Sequence, residues 1–232
     1  MKIMTFNTQH CKNFVTGKID FEIMADAIKK CNPDIVGLNE MYDEGEAENF
    51  VAQTKILSEL TGLKYHYFAK AIDCYGGKNP YGNGFLSKIP ITSAKTVMIP
   101  DAVREEGKKH YETRCVLKAE LENGIAVLVT HFGLNDTEQK NAVETVMENL
   151  NPEKCILMGD FNVLPDNEIL NPIRERMKDA ADLLEKPLGS WPSDNPERKI
   201  DYIFLSKDIE IVSADIPEII ASDHRPHIAE IK

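Results

Sequence analysis

Cys155-Ile156-Leu157-Met158-Gly159-Asp160-Phe161-Asn162 is the stretch whose reading decides this chain. The apolar run 155–158, bounded by polar residues, reads as a buried strand. Where it stops, a carboxylate and a carboxamide stand two residues apart. In an extended segment, residues i and i+2 point to one side, so Asp160 and Asn162 are expected to share a pocket. Their hard oxygen atoms suit Mg²⁺ or Mn²⁺ rather than a soft metal. Alone, such a tetrapeptide is also an ordinary turn. Its weight depends on whether other strand ends repeat the pattern.

They do. The strand-like segment 2–6 stops at Asn7, 35–38 at Asn39-Glu40, and 124–130 at His131. Asp201 stands at the head of 200–205, and Ser222-Asp223-His224 precedes 226–231. Polar groups at the rim of a β core are where such folds build their sites.

Between these strands lie helical patterns. Asp20 is placed to cap a helix over Phe21–Ile28 that Asn32-Pro33-Asp34 ends. Residues 46–61, closed by Gly62, and 135–149 read as two more helices. Segments 65–68, 81–86, 91–99, 113–121 and 209–214 read as strands, with a hairpin at Asn123-Gly124. Residues 166–185 are mixed, and 187–196 form an irregular loop whose Trp191 could wall a ligand. No linker or repeat divides the chain. The expected architecture is one domain over 1–232, a four-layer α/β sandwich of two mixed sheets packed face to face with helices outside.

Hydrophobic content of 42% and charged content of 28% place the 232 residues among globular proteins. No apolar run approaches the roughly 18 residues of a membrane span. The amino terminus enters a strand pattern without a signal-like apolar region, and the five cysteines are scattered with no CxxC pair. The expectation is a cytoplasmic protein with neither zinc nor a disulfide framework. A net charge of −11 disfavours nucleic acid as a partner, since tight binding there needs clustered Lys and Arg. It does not exclude a small phosphate substrate, because a divalent cation can neutralise an acidic pocket.

Seven motifs, in order, carry a family resemblance: Thr5-Phe6-Asn7, Leu38-Asn39-Glu40, Tyr81-Gly82-Asn83-Gly84-Phe85-Leu86-Ser87, Thr130-His131-Phe132, Gly159-Asp160-Phe161-Asn162, Ile200-Asp201-Tyr202-Ile203 and Ser222-Asp223-His224-Arg225-Pro226. Together they resemble the endonuclease/exonuclease/phosphatase superfamily of metal-dependent phosphoesterases, whose fold is the DNase I-like sandwich. The resemblance implies hydrolysis of a phosphoester by activated water. Glu40 would be the principal Mg²⁺ ligand, with Asn7 contributing a neutral oxygen and Asp223 binding directly or through water. Asp160 and Asn162 would orient the attacking water, with Asp160 the candidate base. His224, held by Asp201, would contact the phosphate. His131 would stabilise the phosphoryl charge or the leaving group.

Asn83 is expected to donate its amide to a phosphoryl oxygen. Arg114 resembles a family arginine near the site, with a solvated strand arginine as the other reading. His10 lies just beyond Asn7 and lines the pocket on this reading, while His66, His110 and His227 read as surface or packing residues. Position 39 is Asn where many members have Gln, which bears on substrate orientation. A small phosphodiester or phosphomonoester is the expected substrate. The alternative, a nuclease, requires Lys64, Lys70, Lys78 and Lys88 to converge into a basic stripe. A binding protein without catalysis is the third reading, disfavoured because Glu40, Asp160, Asn162, Asp201 and His224 are all present. Oligomeric state and the number of metals stay open.

Overall fold

Ile3 and Met4 are neighbours in sequence and both fully buried, yet they belong to different apolar layers. The same split recurs at Ile35 and Val36, and at Ile156 and Leu157. Strand alternation sorts one residue towards a facing sheet and the next towards a helix. The result is the expected sandwich, seen here in a computed structural model that describes residues 1–108, 110–184 and 188–232.

The chain runs β1 (Lys2–Asn7), α1 (Phe21–Cys31), β2 (Ile35–Tyr42), α2 (Gln53–Thr61), β3 (Tyr65–Asp73), β4 (Pro80–Ser87), β5 (Ile91–Met98) and β6 (Cys115–Leu121). It continues through β7 (Ala126–His131), α3 (Asp136–Asn149), β8 (Cys155–Asp160), α4 (Asn171–Arg176), β9 (Met177–Asp179), β10 (Asp201–Ser206), β11 (Ile211–Asp215) and β12 (His227–Ile231). One six-stranded sheet has the order β11-β12-β1-β2-β4-β3 and the other β5-β6-β7-β8-β10-β9. Each is antiparallel except for one central parallel pair, β1 with β2 and β7 with β8.

Ile3, Ile35, Phe85, Val129, Met158, Ile203 and Leu205 fill the layer between the sheets. Helices α1 and α2 cover the first sheet through Met24, Ile28 and Leu57, and α3 and α4 cover the second through Val143, Val146 and Ile173. Each fully buried side chain of this kind stabilises the fold by about 1.5–3 kcal/mol. Among the described residues, no helix is long and apolar enough to cross a membrane.

Asp20 does cap α1, its carboxylate accepting from the Ile23 amide at 3.1 Å. The helix expected over 46–61 begins only at Gln53. Residues 45–50 form a turn instead, held by the Gly45 amide on the Phe50 carbonyl (3.0 Å) and the Ala47 amide on Asn79 Oδ1 (2.9 Å). Phe50 leaves the helical pattern to stack on Tyr42. Part of the loop expected at 187–196, Pro187, lies outside the described residues, as does Glu185 of the 166–185 segment.

Gly159 marks the point where β8 meets the site. Its φ is +143°, and a Cβ there would sit 1.8 Å from the Thr130 carbonyl oxygen. Both the backbone angle and the space demand glycine. Gly159→Ala is therefore expected to destabilise the protein by about 3 kcal/mol, through strain and overpacking together. A denaturation midpoint equal to that of the wild type would refute this.

Candidate active site

Parity explains which side chains meet. The alternation that turns Ile3, Phe85, Val129, Met158 and Ile203 into the layer between the sheets carries Asn7, Asn83, His131, Asp160 and Asp201 into that same layer at the strand ends. Strand register then sets them side by side: Asn7 pairs with Asn39, His131 with Asp160, and Asp160 with Asp201. Glu40 breaks the rule. A register shift in β2 after Leu38, with Glu40 at φ +60°, is a bulge that re-aims it, so Asn39 and Glu40 both face the site.

At the centre lies Asp160, fully buried. Its Oδ2 accepts from Asn7 Nδ2 at 3.1 Å and lies 3.6 Å from Nε2 of both His131 and His224. The same Asn7 nitrogen reaches Glu40 Oε1 at 3.0 Å. Burial drives the Asp160 carboxyl above the usual range; His224 opposes that rise and Asp201 adds to it. Glu40 is also raised, first by burial, with Asn7 and His224 opposing and Asp223 adding to it.

Two carboxylates side by side on neighbouring strands repel. Here His224 relieves that repulsion, its Nδ1 2.8 Å from Asp201 Oδ2 and its Nε2 turned to Asp160. Burial alone would lower the His224 pKa, but Asp201 and Asp160 outweigh it and push it up to about 10. His131 is the opposite case. Burial, then the charges of Arg114 and His224, hold its pKa well below the usual value. Arg114 Nη1 lies 2.9 Å from His131 Nδ1. A guanidinium can only donate, so Nδ1 accepts and the neutral ring carries its proton on Nε2, facing Asp160. Arg114 thus points into the site rather than to solvent, with Glu112 at 3.1 Å.

Asp160 and Asn162 do converge, but not by strand alternation. Asn162 is left-handed (φ +51°), and its amide N–H donates to Asp160 Oδ1 at 2.9 Å in a tight Asx turn. Its Nδ2 donates to the Phe132 carbonyl at 3.1 Å and lies 3.2 Å from His131 Nε2, a contact of two N–H groups rather than a hydrogen bond on this tautomer.

Three carboxamides make their hydrogen bonds within the protein. Asn83 Nδ2 donates to the Cys115 carbonyl (2.9 Å) and its Oδ1 accepts from Asn39 Nδ2 (2.8 Å). Asn39, where many members have Gln, is buried as well. It donates to the Thr130 carbonyl (2.9 Å) and accepts from the Asp160 amide (2.9 Å), so these two buried carboxamides stitch one sheet to the other beneath the site. Asn7 presents nitrogen, not oxygen, to the carboxylates, because its Oδ1 accepts from the Gln9 amide at 3.0 Å. Their carboxamides are spent on assembling the site, a use that residue type does not reveal.

The lysines do not converge. Lys64 and Lys88 flank the Tyr65–Ser87 end of the β3–β4 pair, remote from Glu40, while Lys78 lies beyond the other end; Lys70 and Lys88 pair with Asp73 and Asp34 at 3.0 Å. His66 and His110 are exposed, and His227 is packed inside with Nδ1 3.3 Å from the Asp201 carbonyl.

Sequence reading missed Ser190 and Ser193. Ser190 Oγ accepts from the Ile200 and Asp201 amides (3.2 and 3.3 Å), and Ser193 binds the Ser222 carbonyl through Oγ (2.6 Å) and the Asp223 carbonyl through its amide (2.8 Å). This loop clamps the turn that carries Asp223 and His224. Trp191, beside it, lines a cleft with Phe14 and Asp223. Short serine-containing loops are too common to flag such a role.

A model of the endonuclease/exonuclease/phosphatase family matches residues 4–224. The chain belongs to this family. Its fold is shared by the family protein from Beutenbergia cavernae (21% identity, TM-score 0.81, covering all of this chain and 71% of that one). The family member from Bacteroides vulgatus (20%, TM-score 0.74, 100% and 98% covered) and the mannosyl-6-phosphatase of Bacteroides thetaiotaomicron (14%, TM-score 0.75, 100% and 99%) are also similar. No curated protein sequence matches the chain.

Members of this family act on phosphoesters and are generally dependent on a divalent metal, and the donor set here fits one. Asp160, Asp201 and His224 place ligand atoms within 4.8 Å of one another. His224 takes Asp201 Oδ2, but the buried Oδ1 of Asp201 has no hydrogen-bond partner, so Asp201 stands with Asp160, Glu40 and Asp223 among the oxygen-bearing groups. Glu40 and Asp160 are both held above the usual carboxylate range by burial. Desolvated carboxylates that each feel a second carboxylate, Asp223 for Glu40 and Asp201 for Asp160, favour a hard cation.

Proposed function

We propose that the chain, acting as one catalytic domain over residues 1–232, is a Mg²⁺- or Mn²⁺-dependent hydrolase of a small phosphodiester or phosphomonoester. The observation that carries this reading is the position of Asp160 Oδ2, between Nε2 of His131 and of His224 and tied through Asn7 to Glu40. Glu40, with Asp223 and Asp160, would hold the cation, which when bound neutralises phosphoryl oxygen and acidifies water.

The chain's own residues divide the remaining work. Asp160, a carboxylate held at raised basicity, takes the proton of the attacking water at Oδ2. His224, kept as an imidazolium by Asp201, donates from Nε2 to a phosphoryl oxygen. His131, neutral and with its tautomer set by Arg114, donates from Nε2 as negative charge builds in the transition state. Asn162 fixes the carboxylate of Asp160 by its backbone amide. The scattered, partly paired lysines and the charge of −11 favour a small ester over a nucleic acid.

The test is hydrolysis of bis(p-nitrophenyl) phosphate, p-nitrophenyl phosphate and a supercoiled plasmid in parallel, each with Mg²⁺, Mn²⁺ or EDTA. Metal-dependent release of nitrophenol with the plasmid intact is the expected result. Nicking of the plasmid without turnover of either small ester would reverse the choice of substrate.

The dyad also predicts a pH effect on stability. His224 has a folded pKa of about 10, above the unfolded value of about 6.5. Its charge therefore stabilises the fold fully below pH 6.5, and the contribution fades as pH rises through about 10. In metal-free protein, the stability gap between wild type and Asp201→Asn should be widest near pH 6 and narrow towards pH 10. Thermal melts across that range check it, and a gap that widens with pH would be incompatible with a charged His224.

A further inference from the structure

The loop leaving β1 holds three consecutive non-glycine residues in the left-handed region: Gln9, His10 and Cys11, with φ of 47°, 48° and 61°. Such a run is strained for L-residues and persists only where its surroundings impose it. Here the His10 amide donates to the Glu40 carbonyl at 2.8 Å, and the His10 carbonyl accepts from Gln53 Nε2 at 2.9 Å. The other end of that buried amide, Gln53 Oε1, accepts from the Tyr42 N–H at 2.9 Å. One glutamine thereby holds His10 and Tyr42 in register.

The product is a column of rings. His10 stacks on Tyr42 at 4.8 Å and 13°, Tyr42 stacks on Phe50 at 4.0 Å and 24°, and Tyr75 meets Phe50 edge-on at 6.0 Å. Tyr42 and Phe50 are buried, whereas His10 is half-buried and Tyr75 is 83% exposed. The column lines a cleft of about 420 Å³ that also takes in Lys12, Glu48 and Asn49. That is within the size range of small-molecule sites. Nothing in the hydrolytic steps above uses these rings.

We propose that this cleft is a subsite for a planar aromatic group borne by the phosphoester, seated against His10 as the next ring of the His10–Tyr42–Phe50 column, so that the substrate is of the nucleotide class. A flat heterocycle continues the parallel stacking, and its edge can bond the Lys12, Glu48 and Asn49 side chains. The backbone bond from His10 to Glu40 puts the stack beside the residues that meet the phosphate. The substrate assignment rests on the phosphoesterase reading, while the subsite itself does not.

Calorimetric titration with AMP and with ribose 5-phosphate tests it, since the two share a phosphate and differ in the base. Wild type is expected to bind AMP at least about tenfold more tightly, the order expected of a base stacked on an aromatic side chain. That ratio should fall towards one in His10→Ala and return in His10→Phe. Should the His10 variants unfold, Glu48→Ala, on an exposed side chain at the edge of the same cleft, reports the same ratio, which is expected to fall. Equal affinities in wild type, absence of binding by either ligand, or a ratio unchanged in folded His10→Ala would overturn the proposal. The ester panel separates the two readings. An AMP preference without cleavage of any ester leaves the subsite standing and removes the hydrolase. Cleavage without the preference does the reverse.

Discussion

His224→Ala is expected to lower kcat on a small phosphoester about a thousandfold while leaving divalent-metal affinity within a few-fold of wild type. The reason is the position of the ring: 2.8 Å from Asp201 on one side and 3.6 Å from Asp160 on the other, with a pKa pushed up to about 10. The mutation removes the one imidazolium in the cluster, and with it a charged donor aimed at the phosphoryl group. Losses of a hundredfold to ten-thousandfold are usual for such a group. It also returns Asp160 and Asp201 to a bare cross-strand pair of carboxyls, so some stability is lost as well. His224→Gln separates the two effects, because it keeps a donor for Asp201 but carries no charge. If the glutamine variant, shown folded by circular dichroism, retained near-full kcat, the role given to His224 would be wrong.

Glu40→Gln is expected to weaken Mn²⁺ binding about a hundredfold or more, with the fold unchanged. Glutamine fits the same bulge and can still accept from Asn7, but it lacks the anionic oxygen that holds a hard cation against water. Calorimetric titration of Mn²⁺ into metal-free protein reads the effect without turnover. A Kd equal to that of wild type would sink the assignment of Glu40 as a ligand. A side result would follow from the raised pKa of this residue: Mn²⁺ binding to wild type should weaken as pH falls, as protons compete for the desolvated carboxylates of Glu40 and Asp160.

Strand ends are what make the site legible in the amino-acid sequence. Asn7, His131 and Asp160 each stand where an apolar strand pattern stops and Asp201 where one begins, and period-two geometry is regular enough to carry such residues to one layer. His224 and Asp223 follow from the turn that enters β12. Irregular backbone is not legible in this way. The bulge that turns Glu40 alongside Asn39 and the run Gln9–Cys11 are held by tertiary hydrogen bonds, and no local residue preference announces them. The same holds for carboxamides. Asn39, Asn83 and Asn7 also join the two sheets and space the carboxylates, a use that their place at strand ends does not announce. The helix expected over 46–61 is absent from its first half for a similar reason. Phe50 has a better partner in the ring of Tyr42 than in a helical face.

The central claim is that these residues direct water to phosphorus with a divalent cation in place. Its most direct measurement is hydrolysis of bis(p-nitrophenyl) phosphate in ¹⁸O-water, by protein stripped with EDTA and then given Mg²⁺ back. No turnover in EDTA, recovery with Mg²⁺, no recovery in Asp160→Asn, and label in the phosphate rather than the nitrophenol are the results expected. Turnover indifferent to EDTA, or label in the nitrophenol, would contradict the account.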